Sequence, residues 1–278
     1  MLLLILVLAA SAGAQSPQRL RAVVVISIDG LRGDAAEALL PPALRSAGAV
    51  TFRARTVVPS STLPAHASML TGWDVAGHGV RHNNWRKGDA YVGVPTVMEI
   101  ATRAGMGAEM IVAKLKLEIF ARPGSVRLFR YLPYPRYRAD GVLRQAAERL
   151  GHRPALLFVH VADPDDAGHR WSWESHNYRE SVRRSLEALA GFLEGASRSG
   201  IPLTVIVTSD HGGLGRRHGG ARPEEVTIPW LVFGSHVRAG GTISQAVRIY
   251  DTAATALWLL GIPVPGDWDG RAVTDAFR

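Results

Sequence analysis

The segment Ala22-Val-Val-Val-Ile-Ser-Ile28 decides how the rest of the chain is interpreted. It is almost wholly aliphatic and shows no strict alternation of apolar and polar residues, which is typical of a strand buried on both faces. Runs of the same character occupy 155–161 and 203–208. Because such strands occur in parallel sheets that are covered by helices, they predict a layered α/β fold.

Helical patterns fill the intervals between these runs. We predict helices over 64–70, 95–103, 140–150, 177–193 and 251–260. Two further strands are predicted over 227–233 and 247–250. Asp251 is a favoured cap for the last helix, and Gly261 and Pro263 end it.

Length and composition limit the classes of protein that this chain can be. Its 278 residues, 47% of them hydrophobic, favour one α/β domain over 15–278, with a small substrate cap over 105–150. The absence of cysteine excludes disulfide scaffolds, thiolate-ligated metals and thiol nucleophiles.

The net charge is +8, and 29 of the 32 basic residues are arginine. The forked donors of arginine suit phosphate, although codon bias alone would give the same excess.

The first fourteen residues differ in character from the rest of the chain. Leu2 to Ala10 is nearly pure hydrocarbon but is shorter than the ~20 residues that span a bilayer. Small residues at Ala12 and Ala14 fit a signal-peptidase site. We therefore interpret 1–14 as a signal peptide and predict a secreted or periplasmic protein with no membrane span after its removal. A retained membrane anchor is the alternative.

Acidic residues follow each of the three aliphatic runs. Asp29 follows the first, Asp165 lies just after the second, and Asp210 follows the third. The carboxyl ends of parallel strands share one edge of a sheet, so these three side chains are expected to converge there. A single aspartate in such a place usually caps a turn or a helix. Three converging carboxylates repel one another unless a cation lies between them, so the pattern favours a metal site.

Histidines accompany two of these aspartates. His169 lies four residues after Asp165 in an expected turn, His211 directly follows Asp210, and His218 stands before a Gly-Gly pair. Imidazole and carboxylate ligands without thiolate suit Zn²⁺ better than Mn²⁺ or Mg²⁺. Two ions ~4 Å apart would use all of these candidate ligands.

A hydroxyl residue precedes the first predicted helix. In Pro59-Ser-Ser-Thr-Leu-Pro-Ala-His66, Pro64 suits the first helical turn, so Thr62 is expected at or just before the N-cap. Thr62 can simply cap the helix. Alternatively, a metal-bound hydroxyl there is a nucleophile, since a helix N-terminus also favours a bound anion.

Four motifs, in this order, resemble the alkaline phosphatase superfamily and in particular its type I phosphodiesterase/nucleotide pyrophosphatase branch. They are Ile26-Ser-Ile-Asp-Gly-Leu-Arg32, Thr62-Leu-Pro-Ala-His66, Pro164-Asp-Asp-Ala-Gly-His169 and Thr208-Ser-Asp-His-Gly212. The resemblance implies a three-layer fold with a mostly parallel central sheet. It implies one zinc ion held by Asp29, Thr62, Asp210 and His211, and a second held by Asp165, His169 and His218. His236 is the alternative to His218.

The resemblance also implies a hydrolytic activity in two steps. Thr62 attacks phosphorus, and the resulting phosphothreonine is then hydrolysed. The family commonly has an asparagine after the proline of the nucleophile helix. Here that residue is Ala65, so Asn83 or Asn84 is a candidate substrate-binding residue, unless both form only a polar turn.

The implied substrate is a small phosphate ester or nucleotide. A phosphodiester or nucleotide pyrophosphate is the first expectation, and a phosphomonoester or phosphonate is the alternative. No stable nucleic-acid partner is predicted for such an enzyme. The remaining alternative is a non-catalytic, arginine-rich protein that binds nucleic acid or anionic lipid.

Overall fold

The computed structural model describes residues 22–278, so the predicted signal peptide lies outside the described residues. Eight strands form one sheet: β1 (Ala22–Ile28), β2 (Ala49–Arg55), β3 (Ala108–Val112), β4 (Leu128–Tyr131), β5 (Leu156–Val161), β6 (Leu203–Thr208), β7 (Thr227–Gly234) and β8 (Gly241–Thr242). The strand order is β4-β3-β5-β1-β6-β7-β2-β8. All neighbours pair in parallel except those of β7, which runs antiparallel to β6 and β2.

Helices cover both faces of the sheet. They are α1 (Gly33–Leu39), α2 (Pro42–Ala47), α3 (Thr62–Thr71), α4 (Val75–His78), α5 (Val97–Arg103), α6 (Ala139–Leu150), α7 (Asp163–Trp171), α8 (His176–Arg198), α9 (Pro223–Val226) and α10 (Asp251–Leu260), with 3₁₀ turns at Leu115–Phe120 and Thr274–Ala276. Within residues 22–278, no helix combines the length and apolarity that crossing a membrane requires.

Side chains of β1 show why three layers form. Val23 and Val25 pack with α3, α5 and α10 on one face, whereas Val24 and Ile26 pack with α1, α6 and α8 on the other. Every residue of β1, β5 and β6 is buried. The prediction of a mostly parallel sheet between two helical layers is therefore confirmed.

The predicted strand over 247–250 is wrong. The chain there makes only one bridge, between Arg248 and Arg55. The Asp251 carboxylate accepts the backbone N–H of Arg248 at 2.7 Å, which turns the chain directly into α10.

The segment 105–150, over which a small substrate cap is predicted, supplies several elements of the α/β domain itself. It contributes β3 and β4 to the sheet and α6 to a helical layer. The five residues of β3 are all buried between β4 and β5, and α6 packs its apolar face, including Val142 and Leu143, beneath the sheet. The apolar content of this segment is thus used in the core of the domain.

Candidate metal centre

The three strand-end aspartates meet at one edge of the sheet because β5, β1 and β6 are adjacent. The backbone N–H of Asp165 donates to the Asp29 carbonyl at 3.1 Å, and the backbone N–H of Gly30 donates to Asp210 Oδ1 at 3.1 Å. Gly30 has a φ of 73°. A Cβ at Gly30 would lie 2.8 Å from the Asp165 Cα, so glycine is needed for this close approach.

Asp29, Asp210 and His211 form one fully buried group, which we call the inner cluster. The Nε2 atom of His211 lies 3.4 Å from Asp29 Oδ1 and 3.3 Å from Asp210 Oδ2. These distances place three potential ligand atoms around one point.

Asp165, His169 and His218 form a second group, the outer cluster. The two Nε2 atoms of His169 and His218 lie 3.1 Å apart, and Asp165 Oδ1 lies 3.4 Å from the first and 3.7 Å from the second. His169 is exposed, so this cluster opens to solvent. The alternative ligand His236 is exposed after β7, at the opposite edge of the sheet, and does not take part.

The expected turn around Asp165 is instead the helix α7. Pro164 stands in its first turn with three acidic residues, which favour a helix N-terminus. A four-residue spacing on a helix puts Asp165 and His169 on the same face, which explains why both side chains reach the outer cluster.

Four polar atoms of the clusters are buried without a hydrogen-bond partner among residues 22–278. They are Asp29 Oδ1, Asp165 Oδ1, Asp210 Oδ2 and His211 Nε2. Each lies within its own cluster, while the other oxygen of each carboxylate is hydrogen-bonded elsewhere. A buried unpaired polar atom costs about 1–3 kcal/mol, so four together need an explanation. Cations seated in the clusters would satisfy all four, and the residues therefore fit metal ions.

Two of the cluster imidazoles, those of His211 and His218, are in the protonation state that metal binding requires. Burial and the neighbouring His218 lower the pKa of His211 to about 3, and burial lowers the pKa of His218. Both rings are therefore neutral near pH 7 and can each offer a lone pair.

Lys114 connects the two clusters, a role that its sequence context did not predict. Its Nζ atom lies 2.7 Å from Asp29 Oδ2 and 2.5 Å from Asp165 Oδ2. Burial favours the neutral acid, yet the Lys114 charge holds the pKa of Asp29 well below its ordinary value. Asp210 lacks such a contact, and burial together with the Asp29 charge raises its pKa.

Thr62 is the first residue of α3, one position further into the helix than expected, because Ser61 is the N-cap. Two contacts hold this helix end between the clusters. His218 Nδ1 lies 2.9 Å from the Ser60 carbonyl, and His66 Nδ1, on α3, lies 3.5 Å from Asp210 Oδ2. Thr62 itself is buried.

Asn83 lies at the same helix end. Its Oδ1 accepts the backbone N–H of Leu63 at 3.0 Å and the Lys116 ammonium at 2.9 Å. Asn84 is exposed and lines, with Asn83 and Lys116, an open cavity of about 600 Å³. Lys116 was also missed in the sequence, so two of the three lysines of the chain lie at this centre.

The family model described as type I phosphodiesterase / nucleotide pyrophosphatase matches residues 23–215. Ectonucleotide pyrophosphatase/phosphodiesterase family member 7 of Homo sapiens is 26% identical over 234 residues, covering 74% of this chain and 51% of that protein. The 2,3-bisphosphoglycerate-independent phosphoglycerate mutase of Cereibacter sphaeroides is 28% identical over 156 residues, covering 55% of this chain and 30% of that protein. The chain thus spans about half or less of the length of these relatives.

Solved structures show the same fold. An inactive form of murine ectonucleotide pyrophosphatase/phosphodiesterase 5 in complex with AMP has a TM-score of 0.75 at 16% identity, covering 92% of this chain and all of that one. BT1596, a 2-O glycosaminoglycan sulfatase, has a TM-score of 0.71 at 16% identity, covering 92% of this chain and 74% of that one.

Proposed function

Because the chain belongs to the type I phosphodiesterase/nucleotide pyrophosphatase family, we propose that it hydrolyses phosphoric esters at the inner and outer clusters with Thr62 as nucleophile. The observation that carries the proposal is the set of four buried, unpaired ligand atoms that face the two clusters. A polyanion-binding surface has no need of such a set.

The inner cluster, together with the Thr62 hydroxyl, would hold one divalent cation, and the outer cluster would hold a second. Nitrogen and oxygen ligands without thiolate favour Zn²⁺. When bound, a pair of such ions neutralises phosphoryl charge and lowers the pKa of a coordinated hydroxyl.

Thr62 performs the chemistry at the N-terminus of α3. Its Oγ1 forms a bond to phosphorus, and the ester bond to the leaving group breaks. The hydroxyl proton is transferred to the departing oxygen, so the leaving group departs as an alcohol. Water then attacks phosphorus, the Oγ1–P bond breaks, the phosphate product leaves and the Thr62 hydroxyl is regenerated. Because Asn83 and Lys116 lie at this helix end, they supply donors for phosphoryl oxygens.

Two substrate classes are supported to different degrees. Relatives named as nucleotide pyrophosphatases/phosphodiesterases, and the AMP complex of one structural neighbour, favour a phosphodiester or nucleotide pyrophosphate. Matches to a phosphoglycerate mutase and to a phosphopentomutase of Symbiobacterium thermophilum support a phosphomonoester as the second candidate. Lys114 and Lys116 add positive charge that suits this more anionic group.

The decisive assay follows hydrolysis of a chromogenic phosphodiester and the matching monoester before and after chelation. Turnover is expected to vanish with the metal and to return with Zn²⁺. Tight, salt-dependent binding of polyanions by the metal-free protein, without turnover of either ester by the metal-loaded protein, would support the non-catalytic alternative instead.

We also propose that residues 1–14 direct export, because their composition fits a signal peptide. The amino-terminal sequence of the protein purified from its native compartment tests this. A mature chain that begins after Ala14 is expected, and a chain that still carries Leu2 to Ala10 would support the anchor.

A further inference from the structure

His160 belongs to neither cluster and lies on β5, fully buried. It stands in register with Ser27 of β1, so its side chain shares a face of the sheet with Ser27 and with Asp29, two residues further along. A histidine inside an aliphatic strand is costly to bury unless its ring nitrogens are paired, and both nitrogens of His160 have partners.

The two partners of His160 fix one tautomer. Its Nδ1 faces the backbone N–H of Ala113 at 3.4 Å. A backbone amide can only donate, so Nδ1 must be the unprotonated nitrogen. Nε2 therefore carries the proton and donates it to Asp29 Oδ2 at 2.9 Å.

This hydrogen bond determines which oxygen of Asp29 faces the inner cluster. Oδ2 accepts from His160 and from Lys114, whereas Oδ1 is left buried and unpaired, 3.4 Å from His211 Nε2. Lys114 is long, partly exposed and shared with Asp165, so it restrains the carboxylate weakly. The His160 ring is held by its strand and by a backbone amide, and it restrains the carboxylate rigidly.

We propose that His160 is a positioning residue for the inner cluster: it fixes the Asp29 carboxylate so that Oδ1 alone is presented to a cation. The proposal rests on the proposed function, because it requires a metal ion in that cluster. Outer partners of metal ligands typically change metal affinity by about 10- to 100-fold when they are removed. The same loss is expected here at one of two binding sites.

Two substitutions separate the hydrogen bond from the shape of the side chain. In His160→Asn, the amide oxygen can still accept from Ala113, but the side chain is too short to reach Asp29. In His160→Gln, the amide nitrogen takes the place of Nε2 and can donate to Asp29. The matched control is His78→Gln, since His78 is also a buried histidine, bonded to Ser68 away from both clusters.

The experiment titrates metal-stripped, folded protein with Co²⁺ and records both calorimetric affinity and the visible absorption of the bound ion. His160→Asn is expected to weaken one site by about 10- to 100-fold, while His160→Gln and His78→Gln bind like the wild type. Equal affinities for the Asn and Gln variants, whether both normal or both weakened, would overturn the positioning role. A wild-type protein that binds no ion would overturn the proposed function instead.

Discussion

The imidazole rings of His211 and His218 stack, with centroids 3.7 Å apart and planes 16° from parallel. These residues belong to different clusters and come from the same loop after β6. The stack makes one wall common to both clusters, so cations bound in the two would be neighbours. A phosphoryl group placed at the N-terminus of α3 could then contact both.

Asp210→Asn is predicted to reduce bound metal from two ions per chain to one. The asparagine keeps an acceptor for the Gly30 amide but places an NH₂ group where the unpaired Oδ2 faces His211. Elemental analysis of the dialysed protein measures the change. Asp163→Asn is the control, because Asp163 also has a buried unpaired oxygen but lies outside both clusters. An Asp210→Asn protein that retains both ions would contradict the ligand assignment.

Thr62→Ala is predicted to retain metal, because Asp29, Asp210 and His211 remain as ligands of the inner cluster. Hydrolysis is expected to fall by about 10³-fold or more, since loss of a nucleophile removes the covalent route. Thr62→Ser keeps a hydroxyl and is expected to retain measurable turnover. Steady-state rates on a chromogenic phosphodiester, with metal content measured on the same samples, check both variants. Full activity in Thr62→Ala would remove Thr62 from the mechanism.

Lys116→Met is predicted to lower kcat/KM more for a phosphomonoester than for a phosphodiester, because the monoester carries more charge for the ammonium to meet. We expect a loss of about 10²-fold for the monoester, the usual effect of removing one donor from a developing charge. Lys87→Met, which removes an exposed lysine, is the control. Equal losses of kcat/KM on both esters would show that Lys116 does not distinguish the two substrates by their charge.

The metal-free protein is predicted to lose stability as the pH falls below about 6.5. Burial lowers the pKa of His66, His160 and His211, and it lowers the pKa of His78 to about 4. The unfolded chain therefore binds more protons than the folded one in this window, and protonation favours unfolding. Buried carboxyl groups with raised pKa values oppose the trend, and these are Asp163, Asp166, Asp210 and Asp251. They stand against five histidines, because burial also lowers the pKa of His218. Urea unfolding between pH 7 and pH 4 tests this, and a flat or rising midpoint would contradict it.

Gly213→Ala is predicted to destabilise the fold by about 1–3 kcal/mol, the usual cost of overpacking. An added Cβ would lie 2.4 Å from the indole of Trp173, which packs against His169 and His218. The control Gly191→Ala, in α8 with open space around it, is expected to stabilise slightly. Thermal unfolding of the chelated proteins compares the two, and equal shifts would argue against a packing role for Gly213.

How much the sequence predicts depends on the range of the interaction. The bounds of β1 and β6 follow directly from their aliphatic runs, because burial on both faces leaves an uninterrupted pattern. The pattern of β3 is broken by Glu109, whose buried charge is paired with the Arg149 guanidinium at 2.7 and 2.8 Å. That partner is 40 residues away in the sequence, so the residues around Glu109 do not by themselves predict the strand β3.

The separation in sequence between contacting residues also limits which residues of the site can be predicted. Strand ends bring Asp29, Asp165 and Asp210 together by topology alone, which is why their convergence could be predicted. Lys114 contacts Asp29 and Asp165 across 85 and 51 residues, so the residues beside it in the sequence do not indicate its role. The start of α7 could have been predicted, since a proline among acidic residues favours the first turn of a helix.

Anomalous diffraction from crystals grown with Zn²⁺ tests the central claim most directly, because it locates each bound ion without reference to activity. Two peaks are predicted, one among Asp29, Asp210 and His211 and one among Asp165, His169 and His218. Crystals of the folded protein that show no zinc peak at either cluster would contradict the account.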